Sequence, residues 1–396
     1  MFSACRRAAL EKAKARVARD DPAVRAAFAQ LLADAEKALA VKPPSVLKKP
    51  QTPPSGDRHD YMSQAPYFWP DPAKKDGLPY LRKDGQRNPE SHDEHSDAPR
   101  MGRVGGSALP LALARYFTGK ADYAEHAAKL LRVWYLDPAT RMNPNFNFAH
   151  AVPGVNTGRG TGMIESRSSI PAMDAVGLLA GSPSWTKANA DGMKTWMRAF
   201  LEWAQTSDNG KSEAAARNNH GSFYDEQIVS LALFLGRDDL AKQTLEAVKT
   251  KRIAVQIQPD GSQPLELDRA DSFGYSRFNI EALAHLATLG AHAGVDLWHY
   301  ETKDGAGLRQ AIDFLLPLRR AAGKGVALRA REKERAQSRR RAVAGRRRVW
   351  RRALRAGRAE IARAGKDARV FVFPGEVTRC GRSRLPQVTR SAILRP

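Results

Sequence analysis

Cysteine is nearly absent. The 396 residues include two, Cys5 and Cys380, near opposite ends, which excludes a disulfide framework and any cysteine-built zinc site. Long apolar runs are also missing. None approaches the roughly 20 residues of a membrane-spanning helix, so the sequence reads as soluble, with no membrane partner. The first residues, "MFSACRRAALEKAKARVARDDP", lack the apolar core of an export signal. No HExxH motif occurs, and His92 and His95, beside Asp93, Glu94 and Asp97, read as a solvated acidic loop, so no metal is expected. "GRGTG" (158–162) follows no strand and is not a dinucleotide fingerprint. No sequence repeat of fixed length is visible, which argues against an ordinary solenoid.

Charge of one sign is abundant but confined. The net charge is +23, yet residues 317–396 hold 25 of the 65 basic residues and 5 of the 42 acidic ones, a balance of +20 that leaves +3 on residues 1–316. Arg outnumbers Lys 22 to 3 in that tail and 22 to 18 before it. A basic arm for nucleic acid is one reading, but the tail has no series of stacking aromatics, only Trp350, Phe371 and Phe373, and no nucleic-acid partner is expected. The abrupt switch, in the middle of a helical pattern, fits out-of-frame translation of GC-rich DNA, or a disordered tail.

The remainder divides in two. Residues 1–57 comprise a helix over 4–40 and a Pro-rich extended segment, "VKPPSVLKKPQTPPSGD". Residues 58–316 begin with a long aperiodic stretch (58–100) whose Tyr and Trp argue against disorder. From about 104, apolar residues recur at three- and four-residue spacing in successive pairs of segments, and no alternating strand stands out. "GGSALPLALARYFTG" precedes "DYAEHAAKLLRVWYL", "EQIVSLALFLG" precedes "DDLAKQTLEAVKTKRI", and two more pairs behave alike. Ser182, Ser184 and Asp238 suit helix starts, and Gly181 and Gly236 suit helix ends. The pattern predicts an all-α fold, an (α/α) toroid or incomplete barrel of helical hairpins. Its long inter-pair segments (138–167, 207–224 and 254–275) are expected to gather at one end as a cleft.

Those segments hold the unusual chemistry. "RNNHGSFYD" (217–225) opens an apolar helix with two amides, an imidazole and a glycine. Asn218 or Asn219 serves as a helix cap, and Asp225 suits the positive helix end, but one Asn suffices for that. In "QPDGSQPLELDRADSFGYSRFNIEALAHLA", Arg269 and Tyr275 precede another apolar helix. Arg269 alone reads as a surface ion pair with Asp268 or Asp271, and Tyr275 as an aromatic at a helix start with its hydroxyl in water. Together, Asn219, His220 and Arg269 are able to surround and neutralise a carboxylate. A Tyr beside Arg is expected to have a more acidic hydroxyl. Removal of a proton next to a carboxylate needs this combination, with Tyr or His taking the proton and Tyr returning one to the leaving oxygen. That is β-elimination from a uronic acid. Asn143, Asn145, Asn147, His150 and Asn156, set among aromatics and glycines, suit sugar hydroxyls, or simply turns. Tyr61, Tyr67, Phe68 and Trp69 offer stacking faces, or loop residues buried on the body.

Several of these stretches closely resemble bacterial alginate lyases: "PPSGDRHDYMSQAPYFWPDP", "DGQRNPES", "LDPATRMNPNFNFAHAVPGVNTGRGTGMIES", "NNHGSFYDEQ", "QPDGSQPLELDRADSFGYS" and "GVDLWHYETKDG". The resemblance spans residues 25–316. It implies an α/α toroid with a cleft across one end, cleavage of an acidic polysaccharide by β-elimination, and no cofactor. It places the catalytic roles on Asn219, His220, Arg269 and Tyr275, with Tyr275 in proton transfer, the other three neutralising the carboxylate, and His220 an alternative base. Substrate contacts then fall on Tyr61, Trp69, Arg87, Asn143, Asn145, His150 and Asn218. His150 stands where relatives usually carry Gln. "ELDRADS" replaces a more basic "ELARTRS", which weakens the expected hold on a polyanion. The resemblance implies a periplasmic or secreted protein, so the start of this chain is expected to be incomplete or shifted. Relatives continue past 317 with ordinary helices, so the tail is expected to lack the part that closes the toroid. The alternatives are a glycoside hydrolase, for which Glu165, Asp174, Asp225 and Glu266 offer carboxylates without an obvious pair, and a surface-binding protein acting through its tail.

Overall fold

The computed structural model describes residues 4–322. The Arg-rich stretch from 323 onward, with the readings made of it, lies outside them. The expected N-terminal helix is two, α1 (Ala4–Ala18) and α2 (Pro22–Leu39). Asp20 takes a positive φ of 52° at the break. Asp21 then caps α2 by accepting from the Ala23 N–H, with Pro22 at the first helical position, where its missing N–H costs nothing.

The hairpins follow. α3 (Ala98–Thr118) and α4 (Ala121–Leu131) are separated at Gly119, which takes the left-handed conformation (φ 80°) that ends a helix. α5 (Ser169–Leu179) and α6 (Lys187–Thr206) form the next pair. The cap of α6 is Thr186, in a reciprocal capping box with Asn189, rather than Ser182 or Ser184. A short α7 (Asp208–Ala214) leads to α8 (Asn219–Leu235), which ends at left-handed Gly236. α9 (Asp238–Val248) starts on Asp238 itself. The single turns α10 (Ala254–Gln256) and α11 (Pro264–Leu267) precede α12 (Ser272–Ala293), and α13 (Leu308–Ala322) runs through Pro317.

Packing arranges these helices in two layers. α3, α5, α8 and α12 form an inner row in which each touches the next, while α4, α6, α9 and α13 cover it. One apolar cluster joins α2 to α6 through residues such as Ala35, Leu111, Leu131, Trp134 and Phe200. A second, around Val229, Leu245, Leu283, Leu286 and Leu308, joins α8, α9, α12 and α13. This is the expected (α/α) toroid, left open: among the described residues the row does not close into a barrel. Among the described residues no helix is long and apolar enough to cross a membrane.

Short strands also occur that the sequence reading did not pick out. β1 (Met62–Gln64) pairs in parallel with β4 (Phe148–Ala151), and β2 (Phe68–Trp69) pairs antiparallel with β3 (Leu81–Arg82). Runs of two to four residues are too short for alternation to register. They nonetheless organise the aperiodic 58–100 stretch, tying it to the 138–167 segment and setting Tyr67 and Asp84 over the helix ends.

Candidate active site

The start of α8 explains why "RNNHG" is spent there. Asn218 is the cap, its Oδ1 accepting from the His220 N–H at 3.2 Å. Gly221 is required by space: a Cβ there would lie 2.1 Å from the Ala216 carbonyl oxygen and 2.4 Å from Arg252 Nη1. Gly221→Ala should therefore cost about 1–3 kcal/mol, the usual range for overpacking, measurable as a lowered midpoint in denaturant. Arg252 is buried and fully engaged. It donates to Asp225 through Nε (2.7 Å) and Nη2 (3.1 Å), and to the carbonyls of Ala216 (2.7 Å) and Ala214 (2.8 Å). Asp225 is thus not a residue for the helix end, as expected from sequence. It lies two turns in and anchors Arg252.

His220 is oriented by a carboxylate. Its Nδ1 donates to Glu213 Oε1 at 2.7 Å, and Glu213 is buried at the end of α7. A carboxylate is acceptor-only when ionised, so this bond places the ring proton on Nδ1 and leaves Nε2 as the basic nitrogen. Asn219, 1% exposed, turns to Glu266 of α11: its N–H donates at 2.6 Å and its Nδ2 reaches Oε1 at 3.0 Å and Oε2 at 2.8 Å. Burial holds the Glu266 carboxyl above its usual range, while the bonds from Asn219 and the charges of Arg269 and His220 oppose it.

Arg269 lies between α11 and α12. Its partner is neither Asp268 nor Asp271 but Asp84, just after β3, to which Nε donates at 3.2 and 3.1 Å and Nη2 at 2.6 Å. These bonds hold Asp84 far below the ordinary carboxylate range. The guanidinium also stacks over the Tyr275 ring, 3.6 Å from its centroid. The Tyr275 hydroxyl donates to that of Tyr67 at 2.5 Å. The expected acidification of Tyr275 does not hold. Burial pushes its hydroxyl well above the ordinary tyrosine range and the Tyr67 bond adds to this, while Arg269 pulls the other way with less effect. Tyr275 therefore keeps its proton in this arrangement.

The remaining candidates separate by location. Tyr61 is fully buried, packed on Phe146 with ring centroids 4.4 Å apart, and its hydroxyl donates to Glu165. Its ring has no free face for a sugar, a correction to the stacking role expected of it. Asn143 donates to Asp57 and Asp60, and Asn145 to Asp60, so both amides tie the 138–167 segment to the 58–100 stretch. His150 is 7% exposed with a positive φ of 53°. Its Nε2 lies 3.3 Å from Glu165 Oε1 and its Nδ1 3.3 Å from Thr161 Oγ1, so the ring is held against the body. Trp69 is half-buried, with its indole N–H on the Gln86 carbonyl and Lys83 over its ring. Arg87 is exposed beside His92.

Four groups at this end were not singled out from sequence. Tyr67 was noted only as one aromatic among several. Glu213 and Asp84 belong to ordinary polar text, and their roles depend on contacts 7 and 185 residues away. Arg159, in the Asn- and Gly-rich loop, lies over the Phe68 ring at 4.9 Å. An arginine flanked by Gly158 and Gly160 was the available signal.

A family model described as Alginate lyase matches residues 45–324. The structure is similar to the crystal structure of an alginate lyase from Bacteroides ovatus, with 42% identity, a TM-score of 0.76, and coverage of 80% of this chain and 82% of that one. It also has the fold of alginate lyase A1-III. A variant of that protein complexed with tetrasaccharide matches at 18% identity and a TM-score of 0.52, over 88% of both chains. No match was found among curated protein sequences. The matched family segment covers well over half of the sequence, and the chain therefore belongs to the alginate lyase family.

Proposed function

We propose that this protein cleaves a uronic-acid polymer, alginate or a glucuronan-like chain, by β-elimination at the cluster of Asn219, His220, Arg269 and Tyr275. The observation that carries the reading is the placement of His220 and Tyr275 at the starts of neighbouring inner helices, each already oriented by a partner. His220 Nε2 takes the proton next to the uronate carboxylate, because Glu213 occupies Nδ1. Tyr275, which holds its proton, delivers it to the oxygen that leaves C4. Arg269, with the Asn219 amide, answers the charge that builds on the carboxylate as the carbanion forms. No water enters the bond, and the new non-reducing end carries a conjugated double bond. The names of its solved relatives support alginate as the first substrate to try.

Hydrolysis has less support. Glu165 is bonded by Tyr61, Ser63 and His150, Asp225 by Arg252, and Glu266 by Asn219. A hydrolase needs two carboxylates facing the scissile bond. Incubation with alginate or glucuronan is expected to raise ultraviolet absorbance steadily. New reducing ends without that rise would overturn elimination.

A further inference from the structure

Glu266 has no part in the chemistry above, yet it is 1% exposed and takes the backbone N–H and the side-chain amide of Asn219. The two contacts of Nδ2, to both carboxylate oxygens, fix which end of the amide is which, since reversing it would set Oδ1 against an ionised carboxylate. The other end, Oδ1, is buried without a hydrogen-bond partner. So while Glu266 is ionised, the free end of the Asn219 amide is an acceptor, buried on the side away from Glu266. An acceptor repels a uronate carboxylate.

A proton on Glu266 reverses this. Its O–H then donates to Asn219 Oδ1, the amide turns over, and Nδ2 faces the substrate side as a donor. We propose that Glu266 is a positioning residue that selects the end of the Asn219 amide presented to substrate, and that it takes up one proton from solvent when a uronate carboxylate binds there. The proposal rests on the polyuronate reading above. Burial already favours the neutral form, and an arriving carboxylate favours it further. The titratable and charged groups bearing on Glu266 are His220 of α8, Arg269 between α11 and α12, and Arg217, which lines the same pocket. That pocket, of about 360 Å³ and lined also by Asn218, Gln256 and Gln263, gives the buried carboxyl a route to solvent protons.

The test is made on the full chain, with alginate oligosaccharides as the probe. KM of the wild type should rise about tenfold or more as pH rises through the titration of Glu266, one charge-assisted hydrogen bond being lost. In Glu266→Gln the side-chain amide donates permanently to Oδ1, so KM should stay low and flat over the same range. A Gln variant whose KM follows the wild-type curve would overturn the proposal. Binding to Tyr275→Phe, which keeps the substrate intact, should take up close to one proton, read by calorimetry in buffers of different ionisation heat. It should also produce a protonated-carboxyl band in the infrared difference spectrum. Absence of that band overturns the proposal even if Glu266→Gln does not fold. A wild type that neither binds nor cleaves any polyuronate would instead sink the polyuronate reading.

Discussion

Tyr275→Phe is expected to lower kcat on a polyuronate by about 10²–10⁴-fold, the range usual for a lost general acid or base, with KM changed only a few-fold. The substitution removes one oxygen. The ring that carries Arg269 at 3.6 Å remains, and so does the bidentate pair between Arg269 and Asp84. What disappears is the hydroxyl that donates to Tyr67 and, in the proposed mechanism, protonates the leaving oxygen. Tyr67→Phe is the control. It removes the partner and leaves the acid, so its effect should be much smaller. An equal loss in both variants would mean that the hydroxyl pair acts only to hold the loop in place.

Arg252→Met should destabilise the fold by about 3–5 kcal/mol, the cost of breaking a buried ion pair from one side. Arg252 and Asp225 are both largely enclosed, and the guanidinium also satisfies the carbonyls of Ala214 and Ala216. Those two residues lie between Glu213 and Asn218, so losing Arg252 frees the connection that aligns His220 with Glu213. Burial raises the Asp225 carboxyl and Arg252 opposes that rise. Without Arg252 the folded state binds the Asp225 proton more tightly than the unfolded state does. The stability of the variant should then fall as pH rises through the carboxylate range, and part of the loss should be recovered in acid. Denaturant titrations at two pH values measure both effects. A loss under about 1 kcal/mol would show that the pair is not needed. Asp225→Leu combined with Arg252→Met should restore much of the stability, because no lone charge is left buried.

The helical hairpins were legible because three- and four-residue spacing is a local property. Gly236 ended a helix as expected, and Asn218 capped α8. What sequence spacing leaves open is the choice of partner. Arg269 sits between Asp268 and Asp271 in the sequence, yet it pairs with Asp84, 185 residues away. Asp225 looked like a charge for a helix end until Arg252, 27 residues on, claimed it. Tyr61 and Tyr67 lie in the same aromatic stretch. One is core and the other meets Tyr275, a distinction set by strands too short to show alternation. The pull of Arg269 on the Tyr275 hydroxyl was read with the right sign, but its outcome depended on burial, which no motif reports.

The account's central claim is that the glycosidic bond is broken without water. Mass spectrometry of the fragments released from a defined alginate oligosaccharide tests it most directly. Elimination predicts fragments whose masses add up to the parent, with one partner of each cut lighter than its saturated form by one water. Fragments that together exceed the parent by one water per cut would show hydrolysis and contradict the account.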